Sequence, residues 1–333
     1  MNYTIRPYRG EVDLQAMLAL SQLCTTPQNV YDRPTTGEMR RLFTPLIELT
    51  TPAHGKQSWQ EAMRGMSSED RHRALTQRFT ALWEDANGQL VADALIAQPG
   101  CSLTFQVHSQ AQGQGVEAEI LAWGLAQTQL IAQARGTSRD LWCRCHEGEQ
   151  ERRSVLEAAG FLPIFERDLR LVHALAQPLS PVSLPAGFSQ KLGVKQGEFD
   201  TYQELHQAVF DGVSINMDYY ESSAYQGELD LIAVGPTGQF GAFCLCELKQ
   251  VTDRQGERLA GEIGVIGTRP ELQRQGLGRA LLLKGFSLLQ ARAATSAYLE
   301  TSESNVPAQR LFASVGFTQL SSWQWYAKTV EPC

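Results

Sequence analysis

The chain has 333 residues, 43% hydrophobic and 20% charged, with a formal net charge of −7. This length exceeds what one core usually holds, so two domains are expected, and the composition is that of an ordinary globular protein. Both halves are net acidic, which argues against nucleic acid as a partner. No apolar run reaches the roughly 18 residues of a membrane span, and Met1–Gly10 lacks the apolar core of a signal peptide, so no membrane partner and a cytoplasmic location are expected.

In chain order, Tyr3–Pro7 leads into a helix near Asp13–Leu23. Residues 31–77 are polar, with helical pieces at Thr35–Phe43 and Ser58–Met66. Arg78–Trp83, an Asn87-Gly88 turn and Leu90–Ala97 form a hairpin. Phe105–Ser109 then precedes Gly113-Gln114-Gly115, a helical run from Val116 to about Ala134, a strand Leu141–Cys145, and a short helix ending at Gly160-Phe161. The stretch Ala174–Gly187 carries three prolines, which suits a connector. The pattern then repeats. Phe188–Leu192 leads into a helix near Glu198–Phe210. Asp230–Val234, Gly235–Gly238 and Gln239–Lys249 give a second hairpin. Glu262–Pro270 reads as a strand before Gln273-Arg274-Gln275-Gly276-Leu277-Gly278-Arg279, and Ala280–Gln290 as a helix. Tyr298–Ser302 reads as a strand, and Asn305–Phe317 as a helix with a glycine cap. Loop-to-cap spacing is 47 residues from Gly113 to Gly160 and 40 from Gly276 to Gly316.

The seven cysteines are scattered, and Cys143/Cys145 and Cys244/Cys246 each fall on one face of an expected strand. No pair supplies four ligands at zinc spacing, so reduced core thiols are expected and no metal. The six histidines show no ligand spacing. Trp323 and Trp325 alternate in a final strand, with at least one ring expected in the core.

Strand, glycine turn and helix start, as at Glu262–Gln290, make an anion-binding nest. The first amides of a helix lack partners and its dipole adds positive charge there. A Walker loop needs Gly-Lys-Ser/Thr, but Arg279-Ala280 follows Gly278. The dinucleotide fingerprint needs a third glycine where Leu281 stands. What remains is Gln/Arg-x-x-Gly-x-Gly, followed by Asn305-x-x-Ala308-x-x-Leu311-Phe312-x-x-x-Gly316-Phe317. In order, spacing and residue type this resembles the GNAT superfamily of N-acetyltransferases.

The resemblance implies an α/β (α+β) chain of two tandem GNAT domains, each a mixed, mostly antiparallel sheet flanked by helices, over 1–175 and 186–333. Each sheet should splay into a V between two central parallel strands. It implies an acetyl-CoA-dependent N-acetyltransferase in which the amine of a small-molecule acceptor attacks the thioester directly. Ile266, Gly267 and Thr268 would pair with the pantetheine arm. Gln273, Arg274, Gln275, Gly276, Leu277, Gly278 and Arg279 would wrap the pyrophosphate, with Asn305 and Arg310 nearby. For Arg279, a solvated helix-start arginine is an equal alternative.

Glu262 is the candidate catalytic base. Burial in an apolar strand would raise its pKa toward neutrality, while alternation leaves an outward-facing glutamate equally open. Likeness to the mycothiol synthase family of tandem GNAT proteins, in Gly261-Glu262-Ile263-Gly264-Val265-Ile266-Gly267, assigns the base to Glu262. Phe312 departs from that family's proton-donating tyrosine, which leaves Tyr298, Tyr326 or no acid at all. Asp218 and Tyr219, in Asp211–Glu221, are the substrate candidates, suited to a cationic or hydroxyl-rich amine. In the first half, Gln114 stands between the glycines, and the acidic Glu117 just inside the helix would repel a pyrophosphate, so that copy reads as degenerate. A non-catalytic acyl-CoA-binding protein and a different acyl donor stay open as alternatives, as do monomer and homodimer.

Overall fold

The structure, a computed structural model, describes residues 3–27, 29–31, isolated positions from 38 to 77, 79–97, 101–176, 182–211, 219–220, 225–253 and 256–332. The first half gives β1 (Thr4–Pro7), α1 (Glu11–Cys24), β2 (Thr80–Glu84), β3 (Leu90–Ala97), β4 (Ser102–Val107), α2 (Val116–Arg135), β5 (Arg139–His146), α3 (Gln150–Ala158) and β6 (Leu162–Ala174). The second gives β7 (Ser189–Leu192), α4 (Phe199–Val209), β8 (Asp230–Val234), β9 (Phe240–Asp253), β10 (Gly256–Thr268), α5 (Leu277–Ala291), β11 (Ser296–Ser302), α6 (Val306–Ser314) and β12 (Thr318–Val330). Most of the two expected helical pieces between residues 31 and 77 lie outside the described residues. Among the described residues no helix is long and apolar enough to cross a membrane.

Two compact units divide the chain, and no single cut separates them. The first takes Met1–Arg167, Thr252–Gly256 and Ser321–Cys333, and the second takes Asp168–Val251 and Glu257–Leu320. This division departs from a boundary at 175/186 at three pieces, 168–175, 252–256 and 321–333. β12 closes the first unit's sheet, pairing antiparallel with β5 from Trp323↔His146 to Val330↔Arg139. β6 closes the second unit's sheet, pairing with β11 from Ser296↔Ala174 to Ser302↔Asp168. The sequence scheme has no strand at β6, although Leu169 and Leu171 alternate with Asp168 and Arg170 there.

Within the first unit the strand order is β1-β2-β3-β4-β5-β12, antiparallel except for β4–β5. The second runs β7-β8-β9-β10-β11-β6, with β10–β11 parallel. Each sheet has a core on both faces. Val116, Ile120 and Leu156 from α2 and α3 meet Leu103, Phe105 and Cys143 on one face of the first sheet, and α1 covers Leu82 with Leu14 and Met17 on the other. In the second, Leu277, Leu281, Leu282, Phe286 and Leu289 form the apolar stripe of α5, and Tyr202 and Leu205 of α4 pack with Ile232 and Phe243. Cys143, Cys145, Cys244 and Cys246 are all buried, and burial pushes the Cys145 thiol up to about 11. Neither Trp323 nor Trp325 is a core ring. Both are half-buried, with the Arg144 guanidinium 4.9 and 5.3 Å from their centroids, because alternation sends the neighbouring Tyr326 inward instead.

The distance between α5 and its sheet is set by one missing side chain. A Cβ on Gly261 would lie 2.2 Å from Leu289 Cδ1, and Leu289 is fully buried. Gly261→Ala is expected to destabilise the protein by about 1–3 kcal/mol through overpacking, read as a lower urea midpoint at unchanged slope. An unchanged midpoint would mean that Leu289 relaxes freely.

Candidate functional site

The two parallel central strands of the second unit pair over two rungs only, Gly261↔Ala297 and Glu262↔Tyr298. Beyond them β10 and β11 part. Ile263 and Ile266, three residues apart, pack on the α5 face, while Val265 packs on the α4 face. Alternation therefore slips by one residue around Gly264, as a β-bulge does, and a bulge frees strand groups from the ladder. The first unit repeats the fork, where β4 and β5 pair only at Ser102↔Trp142 and Leu103↔Cys143.

Glu262 stands on the last rung before the fork. Its side chain is 31% exposed, and Ile263 takes the buried face instead. The Tyr298 hydroxyl donates to Glu262 Oε2 at 3.4 Å, and Lys249 Nζ lies 3.6 Å from the same oxygen. Lys249 also pairs with Glu247 at 2.7 Å, and Glu247 accepts the Tyr219 hydroxyl. Burial, then Glu247, pushes the Tyr219 phenol up. Glu262, Tyr298, Lys249, Glu247 and Tyr219 thus form one chain of contacts. Sequence reasoning missed Glu247 and Lys249, whose signal is two charges spaced by two on one face of a strand that is apolar up to Cys246. Asp218 lies outside the described residues.

Behind Tyr219 stands an aromatic group, with centroids 5.2 Å apart for Tyr219–Tyr220, 5.0 Å for Tyr220–Tyr225 and 5.3 Å for Tyr202–Tyr220. Asp230, fully buried, accepts from Tyr225 at 2.7 Å and Tyr202 at 3.2 Å. Burial pushes its carboxyl up to about 6, and the two hydroxyls only partly offset this. A folded value above the unfolded 3.8 stabilises the fold below about pH 4, and that contribution is lost as pH rises through about 6. Against Asp230→Asn, the wild type is expected to lose about 2–3 kcal/mol of stability over that window. Urea melts of both proteins at each pH test this, and parallel curves would refute it.

The glycine loop follows β10. Gln273 Nε2 donates to the Thr268 carbonyl at 3.3 Å. Arg274 (φ 61°) and Gly276 (φ 86°) are both left-handed, and alternating hands turn successive amides toward one concavity. Gly276 is the N-cap of α5, whose first turn has no acidic residue. The first helical bond runs from Ala280 N–H to the Gly276 carbonyl at 3.0 Å, which leaves the amides of Leu277, Gly278 and Arg279 without intrahelical acceptors. Gln273, Arg274, Gln275, Gly276 and Arg279 are exposed, and Leu277 is buried. A Cβ on Gly278 would lie 3.6 Å from Thr268 Oγ1. Gly267 has a packing role, since a Cβ there would lie 2.5 Å from Val209 Cγ1.

Other expected site residues divide. Asn305 caps α6, its Oδ1 accepting from Ala308 N–H at 3.3 Å, and Arg310 is exposed on that helix. Phe312 is core, 5.8 Å from the Phe317 ring. Tyr326 belongs to the first unit, where its hydroxyl meets Glu157 at 3.4 Å.

The first unit's loop has the same backbone and different contents. Gly113 (φ 70°) and Gly115 (φ 97°) match Arg274 and Gly276 in hand and spacing, and Gly115 is the N-cap of α2. The counterpart of Gly276 is thus Gly115 and not Gly113, and Glu117 stands where the second unit has Gly278. Glu117 is 6% exposed and its Oε1 accepts the Gly113 amide at 3.1 Å, so a carboxylate of the chain lies in the nest. In the fork, the Arg152 guanidinium sits 3.7 Å over the Phe105 ring, 3.9 Å from Cys143 Sγ and 3.4 Å from Glu149.

Comparison with known proteins agrees with this architecture. Residues 213–317 match the sequence profile of the Acetyltransferase (GNAT) family. The fold is that of a GCN5-related N-acetyltransferase from Sphaerobacter thermophilus, with a TM-score of 0.70 at 18% identity over 99% of this chain and 96% of that one. A tandem GNAT protein from the clavulanic acid biosynthesis pathway gives 0.66 at 14% identity over 100% and 99%. Together these define the class: residues 213–317 carry an acetyltransferase domain of the GNAT family, and the whole chain has the fold of tandem GNAT proteins. More particularly, it is similar to the mycothiol acetyltransferase of Pseudarthrobacter chlorophenolicus, with 27% identity over 77% of this chain and 81% of that protein. Over 64 residues, 19% of each chain, it is 44% identical to that of Streptosporangium roseum.

Proposed function

We propose that the second unit binds acetyl-CoA and transfers the acetyl group to the amine of a small-molecule acceptor, and that the first unit is a closed copy. The observation that carries this reading is the contrast between two otherwise matching sites. In the second unit the N-cap is followed by Gly278 in an exposed loop. In the first the same position is Glu117, whose carboxylate already takes a loop amide, and the fork holds Arg152.

In this reading the amides of Leu277, Gly278 and Arg279 and the side chains of Gln273, Arg274, Gln275 and Arg279 hold the pyrophosphate. Ile266, Gly267 and Thr268 align the pantetheine arm beside the bulge, and one of their amides faces the thioester oxygen. Asn305 and Arg310 border the cofactor, and Tyr219 borders the acceptor. Glu262 takes the proton of the attacking amine. The name shared by the curated relatives makes a mycothiol-related amine the first acceptor to try.

The test is calorimetric titration of the intact protein with acetyl-CoA, followed by an amine panel read by thiol release. One site per chain with amine-dependent release supports the reading. Two sites would refute the closed first copy, and no binding would refute the acetyl-CoA assignment.

A further inference from the structure

The chemistry proposed above needs a proton for the departing thiolate, and the position where the resemblance places a tyrosine holds the buried ring of Phe312. Tyr326 is in the other unit. A hydroxyl does stand at the fork. Tyr298 pairs with Glu262 on the last rung of β10–β11, and neighbouring residues in register on parallel strands share a face. Its hydroxyl is 3.4 Å from Glu262 Oε2, and its ring is buried at 4% exposure, so its position is fixed by packing.

A cation attends this phenol. Arg170 of β6 lies 5.5 Å from the ring centroid and is held by Glu300 at 2.8 Å. The charged groups around this side chain include Glu262 on β10, Arg170 on β6, Glu300 on β11 and, through Glu262, Lys249 on β9. Arg170 favours charge on the phenol oxygen, and Glu262, once it holds a proton, can pass it on.

We propose that Tyr298 is the proton donor to the departing thiolate, recharged by Glu262, an assignment that rests on the acetyl-transfer reading. As the amine nitrogen bonds to the carbonyl carbon, Glu262 takes a proton from nitrogen. The carbon–sulfur bond breaks with its electron pair on sulfur, and the Tyr298 hydroxyl gives its proton to that sulfur. The protonated Glu262 then returns a proton to the Tyr298 oxygen across their hydrogen bond. The amide and free thiol leave, and both side chains regain their starting states.

The test is Tyr298→Phe, which keeps the buried ring. The probe is acetyl-CoA with the best acceptor of the amine panel, with thiol release above the enzyme-free rate followed from about pH 6.5 to 10. The expected result is a kcat lower by about 10²-fold, an unchanged acetyl-CoA KM, and loss of the alkaline limb expected of the wild type. Arg170→Gln is expected to keep that limb and move it to higher pH, which supplies a second reading independent of the first variant's folding. An unchanged kcat in Tyr298→Phe, a retained alkaline limb, or an unmoved limb in Arg170→Gln would overturn the assignment. Wild-type protein that binds acetyl-CoA and still releases no thiol would overturn the acetyl-transfer reading and this one with it.

Discussion

Replacing Gly278 by glutamate is expected to remove acetyl-CoA binding from the protein. The substitution copies into the second unit what Glu117 does in the first. Gly278 is not among the residues with positive φ, and its missing Cβ has nothing nearer than 3.4 Å, at Leu311 Cδ2. A side chain is therefore accommodated without backbone strain. A carboxylate about 4 Å from a phosphate charge costs on the order of 4 kcal/mol at the effective dielectric of a protein surface. That corresponds to a loss of roughly 10³-fold in affinity. Calorimetry of Gly278→Glu, with Gly278→Ala as the control for bulk, measures it. Binding retained in the glutamate variant would mean the pyrophosphate does not rest on this helix start. The reverse change, Glu117→Gly, should leave the stoichiometry at one, because Arg152 still fills the first fork.

Glu262→Gln should leave binding intact and cost catalysis. Glutamine keeps the volume and the acceptor for the Tyr298 hydroxyl, and it cannot take a proton. Loss of a positioned base lowers kcat by about 10²–10⁴-fold, with the acetyl-CoA dissociation constant unchanged. Stability should move by less than about 1 kcal/mol, since the pair lost is a half-exposed one at 3.6 Å and Lys249 keeps Glu247 at 2.7 Å. Thiol release by wild type and variant, each with the best acceptor of the amine panel, gives the answer. An undiminished kcat would place the base elsewhere. Weakened acetyl-CoA binding with unchanged kcat would make Glu262 part of the binding surface.

The local pieces of this protein were legible before its structure. The glycine loop, the helix behind it and the two hairpins rest on spacing and turn chemistry that neighbouring residues specify among themselves. Glu262 was legible as one of few charges in an apolar strand. Its surroundings were not, because Lys249, Glu247 and Tyr298 arrive from other strands, and register across strands is not written in any one of them. The repeat was visible while its alignment was not. Loop glycines at 113 and 115 look interchangeable as letters, and only the helix N-cap at Gly115 shows which one answers to Gly276. That offset of two residues turns Glu117 from a nearby charge into the direct counterpart of Gly278.

By itself the sequence determined that two copies of one α/β pattern lie in this chain and that the second holds the better-formed glycine loop. Those features depend on period, glycine placement and helix starts, all of which act over a few residues. The tertiary structure alone decided which strand closes which sheet, and so moved Tyr326 into the first unit and Arg170 into the second. It alone placed a carboxylate in the first nest and a guanidinium in the first fork. Sheet edges and buried charges find their partners by geometry across long stretches of chain, and the free energy that selects them comes from pairing and burial that exist only once the whole sheet has formed.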